Sequence, residues 1–262
     1  MGRIDIKIVN IQGEELQAVS GRQEAVLVYR GAYTPGDKII VEIEEKNTFY
    51  WMQMDESVGK SMVYLTGTVI YEIPFEERRL NLSPKAFAGD CHLISIRKAR
   101  EFESQCYRNL SENVNDQHGG ENCFPHASAN VETRGESVFA AMNAIDGVIA
   151  PESHGNWPYQ SWGINRREDA CWRLDFGRTV VTDRIVVHLR ADFPHDNWWN
   201  QGKLTFSDGS ELILHWEQGG HGQEVCFEKK EIDWLELSEL KKAEGTSPFP
   251  ALSQLIVYGT EK

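Results

Sequence analysis

Residues 190–199, Arg-Ala-Asp-Phe-Pro-His-Asp-Asn-Trp-Trp, bring together side chains that could bind a sugar. They follow the run Arg184–Leu189, whose alternation predicts a β-strand. A pyranose stacks its apolar face on an aromatic ring, and its hydroxyls need fixed donors and acceptors. Since neighbouring residues of a strand point to opposite faces, one of the two tryptophans is expected in the core. The candidate ligand contacts are Arg190, His195, Asp196, Trp198 and Trp199.

A second aromatic loop lies upstream at residues 154–162, His-Gly-Asn-Trp-Pro-Tyr-Gln-Ser-Trp. His154, Trp157 and Tyr159 are its candidates for the ligand surface, whereas Trp162 is interpreted as a core residue. The Arg166-Arg167 pair that follows would suit an anionic sugar, and a solvated turn explains it equally well. The 190–199 loop also has a structural interpretation, in which a salt bridge from Arg190 to Asp192 or Asp196 only holds the loop in place.

Length and composition restrict the classes of function. The chain has 262 residues, enough for one large β domain or two ordinary ones, and its net charge is −13. Acidic surface disfavours nonspecific binding to nucleic acid and to anionic lipid. No apolar run is long enough for a signal sequence or a membrane span, so we expect a cytoplasmic protein, or an extracellular one if a leader has been removed. Five scattered cysteines without a Cys-x-x-Cys pair argue against a disulfide framework or a zinc ribbon.

Short runs of strand pattern separated by turn residues cover almost the whole chain and predict an all-β protein. The polar, Gly- and Asn-rich stretch 109–122 reads as the connection between two domains. We therefore predict two β-sandwich domains, residues 1–108 and residues 109–262. The first carries no motif that indicates a function.

Four motifs follow one another in the second domain: ASANV at 127–131, AMNAIDG at 141–147, CWRLDFG at 171–177 and ALSQLIVYG at 251–259. Their order and spacing resemble the discoidin domain, also called the coagulation factor V/VIII type C domain, and the related galactose-binding-like carbohydrate-binding modules. The run from residue 123 to residue 199 is similar to a bacterial subgroup often predicted to bind carbohydrate. The resemblance covers roughly residues 109–260 and implies a jelly-roll β-sandwich.

The resemblance also implies roles for single residues. Many members of the family hold a structural calcium with an aspartate that matches Asp146 and an acid before the last strand. Gln254 stands at that second position, so a calcium site here would lack one negative charge. The family's sugar-contacting arginine matches Arg190, and His195 stands where asparagine is common.

The sequence supports no named reaction. Glycoside hydrolysis needs two carboxylates on rigid elements that flank a cleft, and Asp192 and Asp196 lie on one loop. A zinc site from His118, Glu121, Cys123 and His126 matches no established spacing. We expect a non-catalytic protein that binds a glycan through loops 154–159 and 190–199. The alternatives are a protein-interaction module, and a glycan-active hydrolase or lyase that uses His195, Asp196 and Arg190.

Overall fold

The computed structural model describes residues 2–190, 197–245 and 247–262. Antiparallel strands form nearly all of its regular structure, which confirms the all-β prediction. The strands are β1 (Arg3–Val9), β2 (Glu15–Arg22), β3 (Glu24–Tyr29), β4 (Lys38–Ile43), β5 (Thr48–Gln53), β6 (Ser61–Leu65), β7 (Val69–Glu72), β8 (His92–Lys98), β9 (Arg108–Asn109), β10 (Cys123–Phe124), β11 (His126–Ala129), β12 (Trp162–Gly163), β13 (Trp172–Leu189), β14 (Trp199–Phe206), β15 (Glu211–His215), β16 (Gln223–Lys242) and β17 (Ala251–Glu261). The helical pieces are α1 (Glu101–Ser104) and four 3-10 turns, at Glu76–Arg79, Thr133–Gly135, Ser137–Phe139 and Ala141–Ile145.

Two sheets face each other in the N-terminal sandwich. Their strand orders are β2-β1-β4-β7 and β10-β6-β5-β8-β3. Strict alternation puts Ile4, Ile6 and Ile8 of β1 on the inner face, where their side chains are at most 1% exposed. Tyr50 and Met52 of β5 belong to the same buried cluster. The first half of the chain therefore has its own hydrophobic core.

The C-terminal sandwich is built around two long, interrupted strands. Its strand order is β12-β17-β13-β16-β14-β15, with β11 paired to β13 and β9 to β17. The pairing of β13 with β16 shifts register between Asp175 and Val180 and again between Thr182 and Arg184. Such irregularities bend a strand, so one sheet can curve over one core. That core includes the fully buried Trp162, Trp172 and Trp199.

The stretch predicted as a domain linker is a partly buried connector between the sandwiches. Its start pairs with β17 through β9, yet residues 113–124 return to the first sandwich. The Asn115 amide donates to the Met52 carbonyl at 3.0 Å, and its oxygen accepts the Met54 N–H at 3.2 Å. The predicted boundary after residue 108 therefore precedes a segment that packs on both cores.

Direct packing also joins the two sandwiches. The Arg178 guanidinium of β13 lies 4.6 Å from the centre of the Phe49 ring of β5, and it makes a two-point bond to Glu261 at 2.7 and 2.8 Å. Gly177 meets the Phe124 ring so closely that an added Cβ would lie 2.4 Å from it. No helix among the described residues has the length and apolar character to cross a membrane.

Candidate functional site

The register of the C-terminal sheet brings three chain segments to one end of the sandwich. Gly163 of β12 pairs with Ala251 of β17, and Leu189 of β13 pairs with Leu252. The Arg190 N–H then donates to the Ala251 carbonyl at 3.1 Å. The described loops at residues 164–166, after β12, and 247–250, before β17, are consequently neighbours of Arg190 in space.

These loops enclose a pocket of about 330 Å³, which we call the loop pocket. That volume lies in the range of small-molecule sites, roughly 300–1,000 Å³. Its lining comes from two 3-10 turns, from residues 154–156, from the loops after β12 and before β17, and from the end of β13. The side chains that matter for chemistry are Arg134, Glu136, Phe139, His154, Asn156, Asn165, Arg166, Arg190 and Phe249.

Arg190 lines the loop pocket but is only 2% exposed. One guanidinium nitrogen, Nη1, lies 3.4 Å from the Ser161 hydroxyl. A buried guanidinium presents donors in a fixed direction, because its neighbours restrict its rotamer. Arg190 thus lines the pocket from the packed end of the sandwich rather than from an exposed loop.

An aromatic ring and a second arginine form the exposed side of the pocket. Phe249 is 42% exposed and lies between Pro248 and Pro250, whose rings restrict the backbone. The Arg166 guanidinium lies 4.6 Å from the centre of the Phe249 ring. Arg166 reaches it from a turn in which it has a φ of 62°, in the left-handed region. The loop pocket therefore offers an aromatic surface next to a cation.

The remaining charges of the lining are arranged around Phe139. Arg134 makes a two-point bond to Glu136 at 2.6 and 2.7 Å and lies 5.6 Å from the Phe139 ring centre. Among the described lining residues, three arginines accompany one glutamate. The described lining is locally basic on a chain of net charge −13.

The predicted ligand residues are only partly brought together. His154 is exposed and lines the loop pocket with Arg190. Trp157 is 39% exposed but lies outside the pocket lining. Its backbone N–H donates to the Leu80 carbonyl near the N-terminal sandwich. Tyr159 is half-buried and is not part of the lining either.

The tryptophan pair needs a correction. Trp199 is fully buried, 6.1 Å from Trp162 between ring centres, and so it is a core residue and not a stacking platform. Trp198 is half-buried and packs against the same core. Strand alternation predicts this division between neighbours. His195 and Asp196, the other two calls on this loop, lie outside the described residues.

Sequence reasoning missed Phe249, Arg134 and Asn165 as pocket residues. The available signal was the run Ser247–Pro250, where a phenylalanine stands between two prolines just before a strand. A large apolar residue in such a loop has no strand face to pack on, which favours a surface role.

Asp146 and Gln254, predicted as calcium ligands, are joined by a hydrogen bond. The Gln254 amide nitrogen donates to Asp146 Oδ1 at 2.6 Å, and the Gln160 amide donates to Oδ2 at 2.7 Å. The Gln254 oxygen accepts the Gly147 N–H at 3.1 Å. Calcium needs six to eight oxygen ligands. Because amide nitrogens face this carboxylate, the residues as arranged do not fit a calcium ion.

Burial raises the pKa of Asp146 to about 7, although the Gln160, Val148 and Gln254 donors favour the charged form. The negative charge of Glu112 raises that pKa further. Near neutral pH the Asp146 carboxyl is therefore about half protonated, whereas an exposed aspartate is ionised.

The four residues considered for zinc do not form a metal-binding group in the part of the chain that the structure describes. His126 Nδ1 lies 2.7 Å from Asp116, and His118 lies 3.8 Å from Glu132. Cys123 belongs to the core of the N-terminal sandwich. His118 and Glu121 line a cleft of about 760 Å³ between the sandwiches.

The C-terminal half is therefore a curved β-sandwich with a pocket among the loops at one end. The chain belongs to the family described as domain of unknown function DUF7402, whose model matches residues 122–258. No curated protein matches the chain.

Several solved structures are similar to the chain. A lectin domain variant of lectinolysin in complex with Lewis b is 18% identical, covers 60% of this chain and 99% of its own, and has a TM-score of 0.43. A Streptococcus pneumoniae fucose-binding module is 11% identical, covers 59% and 99%, and has a TM-score of 0.43. The family 32 carbohydrate-binding module of C. perfringens NanJ, solved with galactose, is 19% identical, covers 50% and 91%, and has a TM-score of 0.38.

Proposed function

We propose that the protein binds a carbohydrate in the loop pocket without altering it. The observation that carries the proposal is the pairing of the exposed Phe249 ring with Arg166 and the buried Arg190 in one small pocket. A sugar ring stacks on an aromatic surface, and guanidinium groups donate to adjacent hydroxyls or to a carboxylate. His154, Asn156 and Asn165 add polar groups around the same volume.

Sugar binding of this kind needs only the types of group that line the loop pocket. Stacking and hydrogen bonding bind a sugar without a nucleophile or a metal. The sequence motifs of the second domain resemble those of carbohydrate-binding modules. The discriminating question is whether Phe249 and Arg166 contact the ligand.

The test is a glycan screen followed by calorimetric titration of the full chain with each sugar that binds. Phe249→Ala removes the exposed ring, and Arg166→Ala removes the cation beside it. Each is expected to lower the affinity by about five- to 150-fold, since a stacking ring and a charge-assisted hydrogen bond each contribute about 1–3 kcal/mol. Both side chains are exposed, so the melting temperature should change little.

Trp157→Ala is the matched control, because Trp157 is an aromatic residue of similar exposure outside the lining. Equal loss of affinity in the Trp157 and Phe249 variants would place the ligand elsewhere. If no sugar binds at millimolar concentration, the proposal fails. Turnover of a bound glycan would indicate an enzyme, and a protein that copurifies through the Phe249 surface would indicate an interaction module.

A further inference from the structure

A second group of chemically active side chains lies in the N-terminal sandwich. Asp55 and Glu56 follow β5, and His92 begins β8, the strand that pairs with β5. One oxygen of each carboxylate and one ring nitrogen of His92 lie within 4.8 Å of one another. These three residues, which we call the His92 cluster, come together because the end of β5 meets the start of β8.

The contact between His92 and Asp55 is longer than a typical charge-assisted hydrogen bond. His92 Nδ1 and Asp55 Oδ2 are 3.4 Å apart. A charge-assisted hydrogen bond between such groups is about 2.7–2.9 Å long. Two ligands that each lie about 2.0–2.1 Å from a tetrahedral ion are separated by roughly 3.4 Å. The observed separation matches the second arrangement.

Burial makes the cluster costly without a positive partner. Asp55 is fully buried and His92 is 1% exposed. The Asp55 carboxylate accepts the Ser57 and Phe87 N–H groups at 2.8 and 3.0 Å. Within the part of the chain that the structure describes, His92 is the one side chain that forms an ion pair with it. A buried carboxylate normally has a charged partner or a metal.

Two buried polar atoms at the cluster have no hydrogen-bond partner among the described residues. They are His92 Nε2 and the hydroxyl of Tyr33, whose ring centre lies 4.2 Å from that of His92. Buried polar atoms are nearly always satisfied, and exceptions indicate an ion or a water at the site. They are two of ten such atoms among the described residues, and His92 Nε2 is the ring nitrogen that does not face Asp55.

We propose that Asp55, Glu56 and His92 bind one divalent transition-metal ion. A set of one imidazole and two carboxylates suits zinc and similar ions, because imidazole is a poor ligand for calcium or magnesium. Three protein ligands leave a fourth position for water. Glu56 is exposed, so the ion can enter from that side. The proposal is independent of the loop pocket, which lies in the other sandwich.

The test is a titration of the chelator-treated full chain with zinc, in competition with a chromophoric chelator. The expected result is one ion per chain and a melting temperature that rises with zinc concentration, because the ion binds only the folded state. Glu56→Gln is the principal variant, since an exposed ligand can be changed without disturbing the core. It is expected to lower the affinity at least about tenfold. Glu24→Gln, an exposed glutamate on β3 of the same sandwich, should bind as the wild type does.

The exposed thiol of Cys91, next to His92 in the chain, is another group that can bind zinc and must be distinguished from the proposed ligands. Cys91→Ser should bind zinc normally, and the cobalt complex should lack a near-ultraviolet thiolate-to-cobalt band. His92→Ala serves as a second ligand variant once its melting curve shows a folded protein. The proposal is overturned if the wild type binds no zinc, if Glu56→Gln binds as tightly as the wild type, or if Cys91→Ser alone abolishes binding.

Discussion

Asp146 shows how one buried carboxyl can make folding depend on pH. Its oxygens accept the Val148 N–H at 2.8 Å and the side-chain amides of Gln160 and Gln254. Burial nevertheless raises its pKa to about 7, far above the value of 3.8 expected in an unfolded chain. Between these two values the folded protein holds a proton that the unfolded chain has released.

The sign of the effect follows from proton linkage. A group whose folded-state pKa is raised stabilises the protein below its unfolded pKa, and this stabilisation is lost as pH rises through the folded pKa. The contribution of Asp146 to the free energy of unfolding should therefore fall between about pH 4 and pH 7, by up to about 1.4 kcal/mol per pH unit for one proton. Asp146→Asn should reduce this slope, which urea denaturation at a series of pH values would measure.

His126 contributes a slope of the same sign. Burial lowers its pKa, but the hydrogen bond to Asp116 and the negative charges of Asp116 and Asp175 together outweigh burial, and the net pKa is raised. The informative quantity is therefore the difference between wild type and Asp146→Asn. Asp90→Asn, at an exposed aspartate, is the control and should keep the wild-type slope. A pH-independent difference between wild type and Asp146→Asn would contradict the assignment.

The residues of the loop pocket were only partly predictable from sequence. Arg190 can be predicted as a candidate ligand contact, because a strand pattern ends there and the family motif places an arginine at that point. Trp199 was proposed for its chemistry, although alternation on a strand sends one of two neighbouring tryptophans inward. Phe249 was missed because its partner, Arg166, lies 83 positions away in the chain and meets it only through the pairing of β12 with β17.

At the scale of elements, the connector is the clearest departure from the sequence prediction. Its polar composition suggests a solvated linker, yet Asn113, Asn115 and Asp116 are buried. Local sequence cannot show that these side chains bond to backbone groups about 60 residues away, such as those of Met52 and Met54. A buried amide that satisfies two backbone groups acts as a fixed attachment point.

Asn115→Ala should therefore destabilise the N-terminal sandwich. Loss of the amide leaves the Met52 carbonyl and the Met54 N–H unsatisfied in a buried place, which costs about 2–3 kcal/mol in all. Gln117→Ala is a matched control, since the Gln117 amide makes the same two-point contact with the Glu72 backbone at an exposed position. Water can replace that contact, so the control should lose less than about 1 kcal/mol. Equal losses in urea denaturation would argue against the attachment role.

The long strands show a second limit of local patterns. β13 and β16 each read as two short strands, because Gly177 and the charged pair Lys229-Lys230 resemble turn residues. In the structure, pairing continues past both places with shifts of register. β-bulges and turns use similar residue types, so only the pairing with the partner strand distinguishes them.

At the scale of the whole molecule, Gly177 lies at a close contact between the two sandwiches. It has a φ of 65°, in the left-handed region, and an added Cβ would lie 2.4 Å from two atoms of the Phe124 ring. Phe124 belongs to β10 of the N-terminal sheet, whereas Gly177 interrupts the pairing of β13 with β16 in the C-terminal one. The two cores therefore meet at a point where no side chain fits.

Gly177→Ala should lower the free energy of unfolding by about 2–4 kcal/mol, as the sum of a left-handed backbone penalty and a steric clash. Gly209→Ala isolates the first contribution, because Gly209 has a φ of 82° and open space around it. It should lose only about 1–2 kcal/mol. Phe124→Ala in the Gly177→Ala background makes room for the new methyl group, so the double variant should be more stable than the sum of the single losses predicts. Additive losses in calorimetric melting would show that the ring and the glycine are not in contact, and that the sandwiches are joined elsewhere.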